Sequence, residues 1–262
     1  DQGDYSAALS YLDEGRTIAD EMKDSTLQAT ILTYLGSVRR RIGDAQGSRQ
    51  ALDEALRLAR ELDNTSLIAE ILSYRSNLLL GKKQTRAATA DVKEALAAAR
   101  KTGDRWRIQV ARLQEAKIAG SRSGLESALK EAQSSGLAAF IAPAHLELAR
   151  LELEAGRSKA AADHAAQAVQ AATPLGQKDV LFHARHLPAK ALQALGKVNE
   201  AAHQVTAALP LLEEMRQGLK GEVLTQFLGR RDNVAFAQDA ERILTAAGRT
   251  REVDRLRLAL TP

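Results

Sequence analysis

The chain has no cysteine among its 262 residues. That excludes disulfides, thiolate metal sites and thiol nucleophiles, and it suits a reducing, cytoplasmic setting. Aromatic residues make up 3% of the sequence and there are five prolines. Alternating runs of β-branched and aromatic residues are missing, so nothing in the chain signals a strand. No apolar run approaches the roughly 20 residues that a membrane-spanning helix needs. Gly81-Lys82 and Gly196-Lys197 have no glycine five positions earlier, so no phosphate loop is present, and a dinucleotide fingerprint would have no strand to follow. An excess of one charge is also lacking. The 37 basic and 33 acidic residues leave +4, and the two signs are well mixed. A nucleic-acid surface would want a continuous basic stripe with stacking aromatics, and neither occurs.

What the chain does contain is mostly alanine and leucine in a sequence that is 45% hydrophobic. These are strong helix formers, and the reading is all-α. A period of about forty residues runs through the sequence. Tyr34 and Tyr74 are one period apart, as are Glu54-Ala55-Leu56 and Glu94-Ala95-Leu96. Gly3-Asp4 precedes Gly43-Asp44 by the same interval, and Gly156 precedes Gly196 by it. A degraded copy begins at Gly120. Each unit reads as a first helix, a glycine turn, a second helix and a short polar link. Ala51, Ala55, Leu58, Ala59 and Leu62 have helical spacing and make one apolar face. Links such as Asp63–Ser66 and Lys101–Asp104 offer a helix stop and then a cap for the next helix. A single pair of such helices cannot bury its apolar face, so pairs must stack.

The unit resembles the tetratricopeptide repeat. Leu35-Gly36, Gly43, Ser48 and Ala55 fill that family's positions in order, as do Gly156, Ala161 and Ala168 and then Gly196, Ala201 and Ala208. The resemblance implies a right-handed α-solenoid of about six stacked helix-turn-helix repeats over a single domain, 1–262. Residues 1–23 read as a half repeat whose first helix is missing, 24–212 as regular repeats, and 213–262 as irregular, longer C-terminal helices. The chain therefore reads as a piece cut from a longer protein. Leu187-Pro188-Ala189 places a proline within a helix, which predicts a bend there. Met215-Arg216, Glu222, Phe227-Leu228, Arg230-Arg231 and Gly248-Arg249 resemble the repeat region preceding CHAT protease or kinase domains in bacterial multidomain proteins. The segment 209–260 is expected to form a long helix, a break near Gly218–Gly221, a second long helix carrying Arg230-Arg231, and a final one after Gly248.

No catalytic constellation emerges. His183 and His186 share a helix face at i and i+3, with Asp179 four residues before His183, and this is the one arrangement that invites a metal ion. It lacks further ligands at helical spacing, and no metal or other cofactor is expected. Adjacent acidic pairs such as Asp53-Glu54 diverge by about 100° around a helix and cannot converge on one substrate. They read as solvated faces. Trp106, between Arg105 and Arg107, reads as a packing residue.

The resemblance implies a groove lined by the first helices. Its expected lining is Thr30, Thr33, Ser37, Arg40 and Arg41, then Glu70, Ser73 and Asn77, then Arg150, and last His183, His186, Lys190 and Gln193. The set is polar and mostly neutral or basic, which suits an extended acidic or polar peptide. The expected role is a non-enzymatic interaction scaffold in a signalling protein. It would hold a protein or peptide partner, an adjacent domain of the same parent included. The alternative is a sensory domain that binds a small effector within the superhelix.

Overall fold

A computed structural model describes residues 4–261, and every described element is helical. The chain divides into two compact units, Tyr5–Gly124 and the part from Leu125 onward. The first holds α1 (Tyr5–Met22), α2 (Ser25–Ile42), α3 (Ala45–Glu61), α4 (Thr65–Gly81), α5 (Thr85–Thr102) and α6 (Arg105–Ile118). Helix α7 (Arg122–Ser134) begins at its boundary. The second continues with α8 (Ile141–Glu154), α9 (Ser158–Ala172), α10 (Lys178–Ala194), α11 (Val198–Arg216), α12 (Gly221–Leu228), α13 (Arg231–Ala246) and α14 (Thr250–Ala259).

The forty-residue period is built from two equal halves. Residues in the left-handed region fall at Lys23, Gly43, Asp63, Lys83 and Gly103, one every twenty residues, and again at Gly136, Gly156, Gly176 and Gly196. Each ends one helix. At Gly43 the amide of Asp44 reaches back to the Arg39 carbonyl at 2.9 Å and that of Gly43 to Arg40 at 3.2 Å, so the last carbonyls of α2 are satisfied as the chain reverses. A capping side chain then restarts the helix. Asp24, Asp44, Asn64 and Asp104 accept from the first amides of α2, α3, α4 and α6. Asp63 and Gly103 are the stops and Asp104 is a cap, as the links suggested, whereas α4 is capped by Asn64 and not by an Asp, Ser or Thr.

Hairpins α2–α3 and α4–α5 pack internally and on each other. Within the first hairpin α2 and α3 lie close at Gly36, where an added Cβ would lie 2.6 Å from Leu52 Cγ. Ser48 Oγ donates to the Gly36 carbonyl at 2.7 Å. The α3 face is Ala51, Leu52, Ala55, Leu56 and Ala59, all buried. The expected stripe is corrected at one end, because Leu62 lies past the helix and is 40% exposed. A polar clamp ties the two hairpins together. Arg75 of α4 meets Asp91 of α5 through two hydrogen bonds of 2.7 and 2.8 Å and Asp53 of α3 through one of 3.0 Å. Asp53 thus helps join hairpins instead of standing on a purely solvated face.

In the second unit α8–α9 and α10–α11 repeat the hairpin, and α13–α14 packs on α10 and α11 as a further one. Pro188 is buried inside α10, which runs without interruption from Lys178 to Ala194. The C-terminal region is more divided than expected. The second long helix is two, α12 and α13, parted at Gly229-Arg230, and Arg230 precedes α13 instead of lying within it. Asn233 Nδ2 donates to the Phe227 carbonyl at 2.6 Å and holds this corner.

Candidate functional site

Successive first helices α2, α4 and α6 lie side by side in the first unit. Between them is a cavity of about 270 Å³ lined by Tyr34, Glu70, Ser73, Tyr74, Trp106, Arg107 and Val110. It gathers three of the five tyrosine and tryptophan residues of a chain with few aromatics. The forty-residue register makes Tyr34 and Tyr74 equivalent positions on adjacent helices, so stacking brings them together. Trp106 arrives from the first turn of α6. Tyr34 and Trp106 are 42% and 50% exposed.

Charge inside the cavity is internally matched. Arg107 Nη2 donates to Glu70 Oε2 at 2.7 Å, and Arg107 also pairs with Asp104, the cap of α6. The Tyr34 hydroxyl hydrogen-bonds to Glu70. Burial raises the Tyr34 pKa, and the Glu70 charge and this hydrogen bond raise it further. Burial and then Glu70 push Tyr74 up to about 12, against the opposing charges of Arg41 and Arg40. Both phenols stay protonated at neutral pH. The Arg107 Nε is buried with no hydrogen-bond partner. Ser73 Oγ is turned back onto the Ala69 carbonyl at 2.8 Å.

Of the residues expected to line a groove, Glu70 and Ser73 line this cavity. Thr30 donates to Thr26 at 2.8 Å, and the buried Thr33 donates to Ala29 at 2.6 Å. Ser37 is buried, and Asn77 Nδ2 donates to the Ser73 carbonyl at 3.3 Å. These serve their own helix. Arg40 and Arg41 end α2, half-buried and within electrostatic reach of Tyr74. Tyr34, Tyr74, Trp106, Arg107 and Val110 were missed. The signal was there for the tyrosines, whose equal register was plain, but Trp106 is a lining residue where packing was expected.

The remaining expected residues belong to the second unit. Arg150 pairs along α8 with Glu147 and Glu154 at 2.9 and 2.6 Å. His186 Nε2 lies 2.9 Å and Lys190 Nζ 3.2 Å from Asp239 of α13, while His183 lies 3.7 Å from Asp232 and 3.9 Å from Asp179. Burial opposes ionisation of Asp239, yet the His186 hydrogen bond and the Lys190 charge hold its pKa below the usual carboxylate range. His186 also stands edge-on to Phe236, which packs on Phe182. The two imidazoles turn to different carboxylates and do not converge. Gln193 is half-buried near the end of α10. This face of α10 meets α13, whose approach no local pattern in the sequence signals.

Among the described residues no group of three or more His, Asp or Glu side chains is placed to hold a metal ion, and no helix is long and apolar enough to cross a membrane.

No family model and no curated protein matches the chain. Solved structures do. The apo form of the quorum sensor NprR from B. thuringiensis superposes with a TM-score of 0.53 at 14% identity, over 98% of this chain and 82% of that one. BtubC (BKLC) from P. vanneervenii gives a TM-score of 0.39 at 16% identity, over 98% and 89%. The likeness to NprR shows the fold, an all-α helical repeat.

Proposed function

We propose that this chain is a non-enzymatic interaction module that holds a peptide or protein segment on the face of α2, α4 and α6. The observation that carries the reading is the aromatic cavity, which places Tyr34, Tyr74 and Trp106 around one opening on the first helices of three successive repeats. Rigid aromatic side chains give large contact area for little lost conformational freedom, which is what recognition surfaces need. Glu70 and Ser73, two of the residues expected in the groove, line the same opening. The fold likeness to a quorum sensor supports a regulatory binding role. The resemblance of Met215 to Arg249 to regions preceding effector domains supports a place in a larger bacterial, cytoplasmic signalling protein.

A small effector within the superhelix is the weaker reading. Pockets that enclose drug-sized molecules run to roughly 300–1,000 Å³, whereas this one is about 270 Å³. It suits one side chain of a longer ligand. Peptide display against the full chain tests the proposal, with binding of selected peptides followed by isothermal titration calorimetry. Selected peptides should bind, and Trp106→Ala should weaken them at least about tenfold, near 1.4 kcal/mol. Failure to select any peptide, or selected peptides indifferent to Trp106→Ala and Tyr34→Ala, would overturn it.

A further inference from the structure

Resting on that reading, we infer that the Tyr34–Tyr74–Trp106 cavity takes an uncharged apolar or aromatic side chain of the bound segment as its anchor, and rejects both cations and carboxylates. The argument starts from charges already spent. Glu70 accepts from Arg107 at 2.7 Å and from the Tyr34 hydroxyl, and Arg107 has Asp104 as a second carboxylate. A ligand cation would have to take Glu70 from Arg107. A ligand carboxylate would have to take Arg107 from Glu70. Each exchange breaks a partly buried ion pair and leaves the displaced side chain with one partner fewer, a loss that the new pair must first offset. Arg107 Nε, buried with no hydrogen-bond partner, cannot meet a ligand without moving the side chain. Ser73 spends its hydroxyl on Ala69.

An apolar group meets none of these penalties. It covers apolar surface of the half-exposed Tyr34 and Trp106 and contacts Val110, and the Arg107–Glu70 pair stays intact. An aromatic cage can attract an ammonium by its ring quadrupoles, but here the Arg107 guanidinium already lines the same cavity and repels a second cation. Volume agrees, because about 270 Å³ admits one large side chain and little else.

The test uses the full ¹⁵N-labelled chain. Its single tryptophan gives one indole Nε1–H resonance, which reports on the cavity without assignment. The probes are N-acetyl-phenylalaninamide, N-acetyl-leucinamide, N-acetyl-lysinamide, N-acetyl-glutamic acid amide and tetramethylammonium. The phenylalanine and leucine amides should shift that resonance saturably, at least about tenfold tighter than the three charged probes. Tyr34→Ala should weaken the phenylalanine amide severalfold. Val110→Phe, which fills the cavity and leaves the ion pair alone, should abolish it. Charged probes that bind as well, no saturation by either apolar amide, or binding unmoved by both substitutions would overturn the inference. Selected peptides that bind through a charged anchor would sink this inference and leave the proposed function standing. Apolar amides that bind while no peptide can be selected would do the reverse.

Discussion

His145 shows what one residue can carry here. Its Nδ1 lies 3.2 Å from that of His164, across the α8–α9 hairpin, and the residue is 5% exposed. At that distance one nitrogen must donate and the other accept, so at least one ring is neutral. Burial, and then the neighbouring imidazole, pull its pKa down to about 4 from an ordinary 6.5. The unfolded chain therefore binds the proton more readily. The stability this implies is fully present above about pH 6.5 and is lost as pH falls from there towards 4, at up to roughly 1.4 kcal/mol per pH unit. Urea unfolding of the wild type and of His145→Gln at pH 7.5 and pH 5 checks this. The wild type should lose more than the variant between the two. A second residue-scale prediction concerns Lys83, which ends α4 at φ 59° where Gly43 ends α2 at φ 95°. A side chain is disfavoured in that region. Lys83→Gly should raise stability by about 0.5–1 kcal/mol, seen as a higher Tm.

At the scale of elements, stability depends on how hairpins meet. Gly36 lets α2 and α3 touch, and its carbonyl takes the Ser48 hydroxyl. Gly36→Ala would press a methyl against Leu52, and overpacking of this kind costs about 2 kcal/mol. Ser76 occupies the equivalent place one period later, 3.1 Å from Gln114 of α6, so the same position can be used for a polar link. Arg75 holds Asp91, whose side chain is 8% exposed, as well as Asp53. Arg75→Met would strand a buried carboxylate at a cost of about 3 kcal/mol. Thermal unfolding of the two variants orders the terms, and the arginine change should be the larger. Arg75 could be seen in the sequence as a helical residue of α4. Its two carboxylates could not, because they sit on α5 and α3 and meet only when hairpins stack.

Across the whole molecule, each unit is assembled from elements that pack on near neighbours in the chain, as expected of stacked repeats. Among the described residues Arg75 and Asp239 have no ion-pair partner in common, so the effects of changing them should add. Asp239→Asn removes the carboxylate charge shared by His186, Lys190 and Arg242 and should cost about 2 kcal/mol. Combined with Arg75→Met, the loss should equal the separate losses to within about 0.5 kcal/mol. A larger discrepancy in denaturant unfolding would mean that the units are coupled.

Helix content, the forty-residue unit, the turn residues and the caps follow from the order of amino acids alone. Their causes are local: the spacing of alanine and leucine, the freedom of Gly43 at positive φ, and the reach of Asp24 or Asn64 to amides two or three residues on. Tertiary structure alone decided which polar residues are open and which are spent. Thr33 and Ser73 look like groove residues by position, yet both turn back to their own helix. His183, His186 and Lys190 look equally available, yet α13 brings Asp232 and Asp239 against them. Tyr34, Tyr74 and Trp106 lie on three different helices, and the cavity they form exists only once those helices stand side by side. Period and capping act over a few bonds, whereas a binding surface depends on neighbours that the sequence keeps dozens of residues apart.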